Sequence, residues 1–147
     1  MIARVAVVYS GRPGAKATFA TQVIENLKAG APVNVFSDQI CSPTLAENAA
    51  EMLVELLTES RYQGVIHTTG ATVLNRMDFA TRLARRFGLD PEGLKPILTA
   101  DVKLPAHRPL RGGLRVERAA KLLNHKPLAV EESLARFQRD YEKRPSA

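Results

Sequence analysis

The amino-acid sequence predicts an α/β fold in which helices flank a parallel sheet. Three segments have the pattern of strands, at residues 2–9, 33–36 and 64–68, and a helical pattern follows each of them. Parallel neighbours need a crossover, so this alternation is typical of a parallel sheet with right-handed connections. The chain of 147 residues is 45% hydrophobic and 24% charged, which suits a single domain, residues 1–147, with a buried core.

The first strand and the first helix follow from apolar patterning. Residues 2–9 (IARVAVVY) are apolar on both faces apart from Arg4, which predicts a strand buried on both sides of a sheet. A helix is predicted over residues 16–29, where apolar side chains recur at four-residue spacing, and Gly30 is its expected end.

The next two helices have end signals in the sequence. Thr44 and Glu47 fit the S/T-x-x-E capping box, which predicts a helix from there to about residue 59. Asn75 is the predicted N-cap of the third helix, and Gly88 is expected to end it.

The C-terminal third contains one long loop and two helices. Residues 97–99 are predicted to form a short strand, and residues 101–113 a loop rich in Pro, Gly and Arg. Amphipathic patterns predict helices over 116–123 and 130–142, and residues 143–147 are expected to fray.

Composition excludes several classes of protein. No apolar run approaches the roughly 20 residues of a membrane helix, and no signal peptide is recognisable. The net charge of +6 is compatible with nucleic-acid binding. The basic residues are scattered, however, and aromatic residues for base stacking are few, which argues against that function. A single cysteine, Cys41, excludes an internal disulfide and fits a cytoplasmic protein.

Several kinds of catalytic or ligand site also lack support. The three histidines lie far apart without metal-ligand spacing, so no metal site is expected. There is no G-x-S-x-G elbow, and the loop at residues 11–14 (GRPG) matches neither the G-x-G-x-x-G fingerprint nor a P-loop. A tight strand-to-helix turn is the favoured interpretation of that loop.

Two segments combine residues that suit a sugar and a phosphate. Residues 35–44 (VFSDQICSPT) place polar side chains between a strand and a helix. Residues 106–114 (AHRPLRGGL) offer two guanidinium groups beside a stiffening proline and paired glycines. Because guanidinium groups bind phosphate oxygens in a bidentate way, these arginines favour a diphosphate ligand.

An ordered set of landmarks resembles the C-terminal portion of the dTDP-4-dehydrorhamnose reductase family, within the extended short-chain dehydrogenases. The similarity covers nearly all of residues 2–138. Its landmarks, in order, are residues 4–9 (RVAVVY), 36–39 (FSDQ), 42–44 (SPT), 64–67 (GVIH) with Gly70, 78–80 (DFA), and Arg108-Pro109 with Leu114.

The resemblance implies a partial Rossmann-like parallel sheet with flanking helices and a small C-terminal helical substrate-binding region. It also implies an enzyme that transfers hydride from NADP or NAD to a 4-keto sugar. The glycine fingerprint and the Tyr-x-x-x-Lys pair of the family do not occur here; the residues four positions after the three tyrosines are Pro13, Ile66 and Pro145. We therefore expect a nucleotide-sugar-binding portion that is not catalytic alone, with the cofactor bound only through an N-terminal half that this sequence lacks.

The site residues are predicted from the two polar segments and the resemblance together. Val8 and Tyr9 are expected beside the nicotinamide of the cofactor. The apolar first strand predicts either a companion N-terminal half or self-association. No catalytic residue is assigned. The predicted substrate-binding residues are Asp38, Gln39, Pro43, Thr44, Arg108 and Arg111.

Alternatives stay open at this point. Arg108 could instead anchor its loop or form a surface salt bridge, and Asp38 and Gln39 could cap a loop. A non-catalytic regulatory or binding subunit derived from the same family is the second functional hypothesis. A basic nucleic-acid binder is the third.

Overall fold

A computed structural model describes residues 1–14 and 16–144. In chain order the elements are β1 (Ile2–Arg4), β2 (Val8–Tyr9), α1 (Phe19–Lys28), β3 (Val33–Phe36), β4 (Ile40–Cys41), β5 (Thr44–Leu45), α2 (Ala46–Thr58), β6 (Val65–His67), β7 (Leu74–Asn75), α3 (Arg76–Arg86), β8 (Leu94–Ile97), α4 (Glu117–Leu122) and α5 (Val130–Tyr141). Two 3₁₀ turns, Pro91–Gly93 and Thr99–Asp101, flank β8.

The strands pair in short ladders, most of them parallel. Strand β1 pairs with β6, β2 with β5, and β3 with β8, all in parallel, whereas β4 and β7 are antiparallel. In the sequence, at least one helix lies between the two strands of each parallel pair, as a crossover connection requires. The predicted α/β class with a parallel sheet is confirmed.

Helix α3 begins and ends where its sequence signals predict. The Asn75 side-chain oxygen accepts a hydrogen bond from the Asp78 backbone N–H at 2.7 Å, as an N-cap does. Gly88 follows the helix with a φ of +65°, a left-handed conformation that favours glycine. Helices α1, α4 and α5 lie within the predicted ranges, and α1 starts three residues later than predicted, at Phe19.

The predicted capping box at Thr44 and Glu47 is wrong. Helix α2 begins at Ala46, its N-cap is Leu45, and no side chain caps it. Thr44 belongs to β5, and its hydroxyl bonds to backbone groups outside the helix. Glu47 instead accepts a hydrogen bond from the Ser10 hydroxyl at 2.7 Å.

The strand predicted at residues 97–99 lies three residues earlier, as β8. Leu94 faces the core at 4% exposure and pairs in register with Val33. Thr99 is taken out of the strand because Asp38 binds both its backbone N–H and its hydroxyl. The long loop that follows is confirmed from residue 102 onwards.

The prediction of one strand over residues 2–9, buried on both sides, is also wrong. The run bends between β1 and β2, and Val7 has a φ of +46°, an uncommon conformation for a β-branched residue. Ile2 is 60% exposed and Val8 48% exposed. The run therefore serves two sheets, and Ile2, Val5 and Val8 are exposed while Tyr9 is buried.

Two apolar cores stabilise the chain. The larger one contains an aromatic cluster in which Tyr9 contacts Phe79 and Phe137, with ring centroids 5.1 and 5.4 Å apart. The smaller one lies where α2 and α4 pack on β6, and it contains Met52, Ile66 and Leu123.

Arg144, the last described residue, binds the turn that follows β2. The Arg144 guanidinium donates to the carbonyls of Gly11 and Arg12 at 2.8 and 3.1 Å. A Cβ on Gly11 would lie 2.4 Å from the Phe137 carbonyl oxygen, so this turn needs glycine for its close approach to α5. Fraying was wrongly predicted for Arg144, and residues 145–147 lie outside the described residues. Every helix in the described part of the chain is too short or too polar to span a bilayer.

Candidate functional site

The first predicted pair, Asp38 and Gln39, holds the turn that precedes the long loop. The Asp38 carboxylate accepts hydrogen bonds from the backbone N–H and the hydroxyl of Thr99, both at 2.9 Å. The Thr99 N–H donor is the main reason why the pKa of the Asp38 carboxyl lies below its ordinary value. The Gln39 side-chain amide donates to the same hydroxyl at 3.0 Å. Both residues therefore position the Thr99–Asp101 turn.

The second pair, Pro43 and Thr44, is buried, and Thr44 links β5 to the segments that follow β1 and β6. The Thr44 hydroxyl donates towards the Ala6 carbonyl at 2.7 Å and accepts from the Gly70 backbone N–H at 3.2 Å. A Cβ on Gly70 would lie 2.1 Å from the Pro43 carbonyl oxygen. Because these groups are already bonded to one another, their geometry supports a positioning role.

The two predicted arginines lie on the long loop and remain free. Arg108 and Arg111 are exposed, and neither guanidinium has a hydrogen bond or ion pair within residues 1–14 and 16–144. The base of their loop is nonetheless fixed. Strand β4 holds it because the Ile40 N–H donates to the Leu110 carbonyl at 2.7 Å and the Gly112 N–H donates to the Ile40 carbonyl at 2.8 Å.

A further contact fixes the loop where it returns to the body of the domain. The Leu114 N–H donates to the Ser42 hydroxyl at 3.0 Å, and a Cβ on Gly113 would lie 2.4 Å from a methyl group of Val73. The loop thus runs between the Thr99–Asp101 turn and residues 40–42. Its backbone at Arg111 lies beside Ile40, two residues after Asp38.

Four partly exposed apolar side chains lie on the arginine loop and on the segments that adjoin it. The exposed fractions are between 37% and 49%, and the residues lie on β4, beside the 3₁₀ turn and on the loop itself. Cationic groups next to an apolar surface suit a ligand that has both phosphate and ring surfaces. The apolar residues are Ile40, Leu98, Val102 and Leu110.

The residues predicted beside the cofactor have contrasting environments. Tyr9 is 2% exposed and its hydroxyl donates to the Ser133 hydroxyl at 2.8 Å, so burial raises the pKa of this phenol well above its ordinary value. Val8 is exposed and pairs with Thr44 in the β2–β5 ladder. Of the two, Val8 alone presents its side chain to solvent, and both assignments remain predictions.

Sequence reasoning missed Thr99 and Ser42 as organising residues. Thr99 gave no local signal because it was expected in a strand, while its partner Asp38 lies 61 positions away. Ser42 lies within the predicted polar segment, but its bond to Leu114 depends on how the loop returns. The part of the chain that the structure describes has no cluster of three or more His, Cys, Asp or Glu side chains placed to hold a metal ion.

Known proteins share this sequence pattern. The family model described as RmlD substrate binding domain matches residues 1–143. The probable low-salt glycan biosynthesis reductase Agl14 of Haloferax volcanii is 29% identical over 140 residues, covering 94% of this chain and 46% of that protein. The dTDP-4-dehydrorhamnose reductase of Mycobacterium tuberculosis is 32% identical over 108 residues, covering 73% of this chain and 34% of that protein.

Solved structures share the fold. The dTDP-4-dehydrorhamnose reductase of Bacillus anthracis in complex with NADP has a TM-score of 0.82 at 23% identity, covering 95% of this chain and 48% of that one. The enzyme of the same name from Clostridium acetobutylicum has a TM-score of 0.80 at 27% identity, covering 94% of this chain and 47% of that one.

The chain spans about a third to a half of the length of these relatives. The match of the family model extends from β1 through α5 and includes the loop with its two arginines. The chain therefore belongs to the family of RmlD substrate-binding domains.

Proposed function

We propose that this chain holds the nucleotide-sugar substrate of an NAD(P)-dependent sugar-nucleotide reductase, with hydride transfer carried out together with a companion dinucleotide-binding portion. The observation that carries the proposal is the anchored loop with two arginines that have no partner among the described residues, in a chain that belongs to this family. A cytoplasmic location is part of the same proposal, supported by the buried, free thiol of Cys41.

Arg108 and Arg111 are the proposed ligands of the diphosphate. Both guanidinium groups can approach phosphate oxygens because no carboxylate among the described residues neutralises them. Pro109 restricts the backbone next to Arg108. Arginine presents paired N–H donors that match phosphate geometry, so the two side chains favour a diphosphate over a single carboxylate.

The apolar side chains around the loop are the proposed contacts for the base and the sugar ring. Leu98 and Val102 flank the Thr99–Asp101 turn, and Leu110 lies between the two arginines in sequence. Asp38 and Gln39 set the position of that turn through Thr99. We therefore assign them as positioning residues, and Pro43 and Thr44 act in the same way on the neighbouring strands.

In this proposal the dinucleotide is not held by the turn at residues 10–14 of this chain. The strand-to-helix turn at residues 10–14 is closed by Arg144, which binds the carbonyls of Gly11 and Arg12. Two of the three phenols are also engaged within the chain. Tyr9 is buried, and the Tyr62 hydroxyl donates to the Val65 carbonyl. In this proposal the companion portion binds NADP or NAD, and Val8 on the exposed side of β2 is the contact that this chain offers.

A companion portion also accounts for the open first strand. Ile2, Val5 and Val8 are between 38% and 60% exposed, although their sequence pattern is that of a buried strand. An exposed apolar strand with an unpaired edge favours association with another strand.

Replacing Arg108 with alanine tests the assignment of the diphosphate. We expect the variant to bind a dTDP-sugar about tenfold or more weakly in calorimetry, because a charge-assisted hydrogen bond contributes about 1.5–3 kcal/mol. Arg85→Ala, which removes an exposed arginine at the end of α3, is the matched control and should bind as the wild type does. An unchanged Kd for Arg108→Ala would remove this arginine from the site.

A further inference from the structure

A cavity lies beside β6, and it shares no lining residue with the proposed nucleotide-sugar site. Its volume is about 480 Å³, which is within the usual range for sites that bind small molecules. The residues that line it belong to β6 and to the start of α4. They are Val65, Ile66, His67, Arg115, Glu117 and Arg118.

Arg118 is held in a fixed position against β6. Its Nη1 atom donates to the Tyr62 hydroxyl at 2.8 Å and to the Val65 carbonyl at 3.3 Å. These bonds leave Nε and Nη2, which form the edge of the guanidinium that binds oxyanions in a bidentate way, without a partner among the described residues. Because the side chain is already ordered, it loses little conformational freedom when an anion binds.

Arg115 brings a second guanidinium to the cavity. Its Nε atom donates to the Glu117 carboxylate at 3.1 Å, and its side chain is 88% exposed. An ion pair as exposed as this one contributes little free energy, so a ligand anion can compete with Glu117 for the arginine. With two guanidinium groups and one carboxylate, the lining has a net positive charge and favours an anionic ligand.

The hydrogen bonding of His67 defines which kind of anion fits. Its Nδ1 atom lies 2.8 Å from the Arg115 carbonyl oxygen. Because a carbonyl only accepts, Nδ1 carries the hydrogen, and Nε2 of the neutral ring is an acceptor. In the part of the chain that the structure describes, no group donates to Nε2. A ligand that binds there must therefore bring its own proton donor.

We infer that this cavity binds a small phosphomonoester, whose phosphate oxygens accept from Arg115 and Arg118 and whose P–O–H group donates to Nε2 of His67. The second ionisation of a phosphomonoester lies near pH 6, so part of the ligand carries this proton at neutral pH. Carboxylates and sulfate esters are fully ionised there and lack the donor. The side chain of Val65, which is 37% exposed, offers an apolar contact to the organic part of the ligand. The inference does not depend on the proposed function, since it uses none of the residues assigned there.

Protection of the sheet edge explains only part of this arrangement. The Val65 carbonyl lies on the side of β6 away from β1, and the Tyr62 hydroxyl and Arg118 both donate to it. Such bonds hinder the addition of another strand. They require neither the guanidinium of Arg115 nor the Nε2 atom of His67, so these two groups are the ones that test ligand binding.

Titration of the ¹⁵N-labelled chain with phenyl phosphate at neutral pH tests the site. We expect saturable amide shifts at residues 65–67 and 115–118, a higher Kd for phenyl sulfate, and no shifts with phenol. Arg115→Gln should raise the Kd of phenyl phosphate about tenfold or more, because it removes charge-assisted hydrogen bonds. Lys121→Gln is the matched control, since it removes the same charge from α4 outside the cavity, and it should change the Kd less than about twofold.

Two further substitutions separate ligand binding from a structural role. Glu117→Gln removes the competing negative charge but keeps an acceptor oxygen for Arg115, so it should lower the Kd of phenyl phosphate about twofold to fivefold. His67→Asn keeps an N–H donor for the Arg115 carbonyl and has no counterpart of Nε2. It should narrow the difference in Kd between phenyl phosphate and phenyl sulfate about threefold or more. A purely structural role of these side chains predicts neither effect.

Several outcomes would overturn the inference. They are the absence of saturable shifts up to about 10 mM phenyl phosphate, equal Kd values for Arg115→Gln and wild type, equal Kd values of the wild type for phenyl phosphate and phenyl sulfate, and shifts confined to residues 106–111. Calorimetry with a dTDP-sugar separates this site from the proposed function. Arg115→Gln should leave the Kd of the dTDP-sugar unchanged, whereas Arg108→Ala should raise it.

Discussion

Replacing Phe137 with alanine should lower the free energy of unfolding by about 4 kcal/mol, the largest loss of stability that we expect from one substitution. Phe137 is fully buried and its ring contacts Tyr9, Phe87 and Tyr141 at centroid distances of 5.4, 6.0 and 5.9 Å. Its removal leaves a cavity in the larger core that rigid neighbouring rings cannot fill.

Urea denaturation followed by circular dichroism measures this loss. Leu57→Ala, at a 74% exposed position, is the control and should change the free energy of unfolding by less than about 0.5 kcal/mol. A loss below about 1.5 kcal/mol for Phe137→Ala would contradict the conclusion that the aromatic cluster contributes strongly to the free energy of unfolding.

Replacing Glu55 with alanine should lower the melting temperature by roughly 5–10 °C. The Glu55 side chain accepts hydrogen bonds from the backbone N–H groups of Asn124 and His125 at 2.6 and 2.8 Å, and from the His125 ring at 3.0 Å. Without the carboxylate, the two backbone donors lose their acceptor, and of its hydrogen bonds to this segment α2 keeps those of Asn48 to residues 126 and 128. Glu59→Ala, four residues later at an exposed position, should have little effect.

The same carboxylate makes stability depend on pH. The hydrogen bond from the Asn124 N–H is the main cause that holds the pKa of Glu55 below its ordinary value of 4.5. A lowered pKa in the folded state means that the stabilisation is fully present above about pH 4.5 and is lost as pH falls through the folded-state pKa. The difference in melting temperature between wild type and Glu55→Gln should therefore shrink in acid, and a difference that grows there would contradict this role.

The helices could be predicted from the sequence because their signals are local. Asn75 and Gly88 mark both ends of α3, and the apolar repeat of α1 and α5 is read directly from spacing. The strand β8 could not be placed, because its register is set by Val33 and its end by Asp38, both distant in sequence.

Contacts between residues distant in sequence also explain the two wrong predictions that concern the site. Thr44 resembles a helix cap in sequence, yet the bend at Val7 brings the Ala6 carbonyl within reach of its hydroxyl. The run at residues 2–9 has the pattern of a doubly buried strand, yet Ile2 and Val8 are exposed in the described chain; under the proposed function a companion portion covers them. By contrast, the loop that contains Arg108 could be predicted, since its Pro and Gly content disfavours helix and strand.

The most direct test of the proposed function is an NMR titration of ¹⁵N-labelled chain with a dTDP-sugar. The proposal predicts amide shifts concentrated at residues 98–101 and 106–114, with smaller shifts at Asp38 and Gln39. No shifts at concentrations up to about 1 mM, or shifts confined to α2 and β1, would contradict the assignment of the arginine loop as the nucleotide-sugar site.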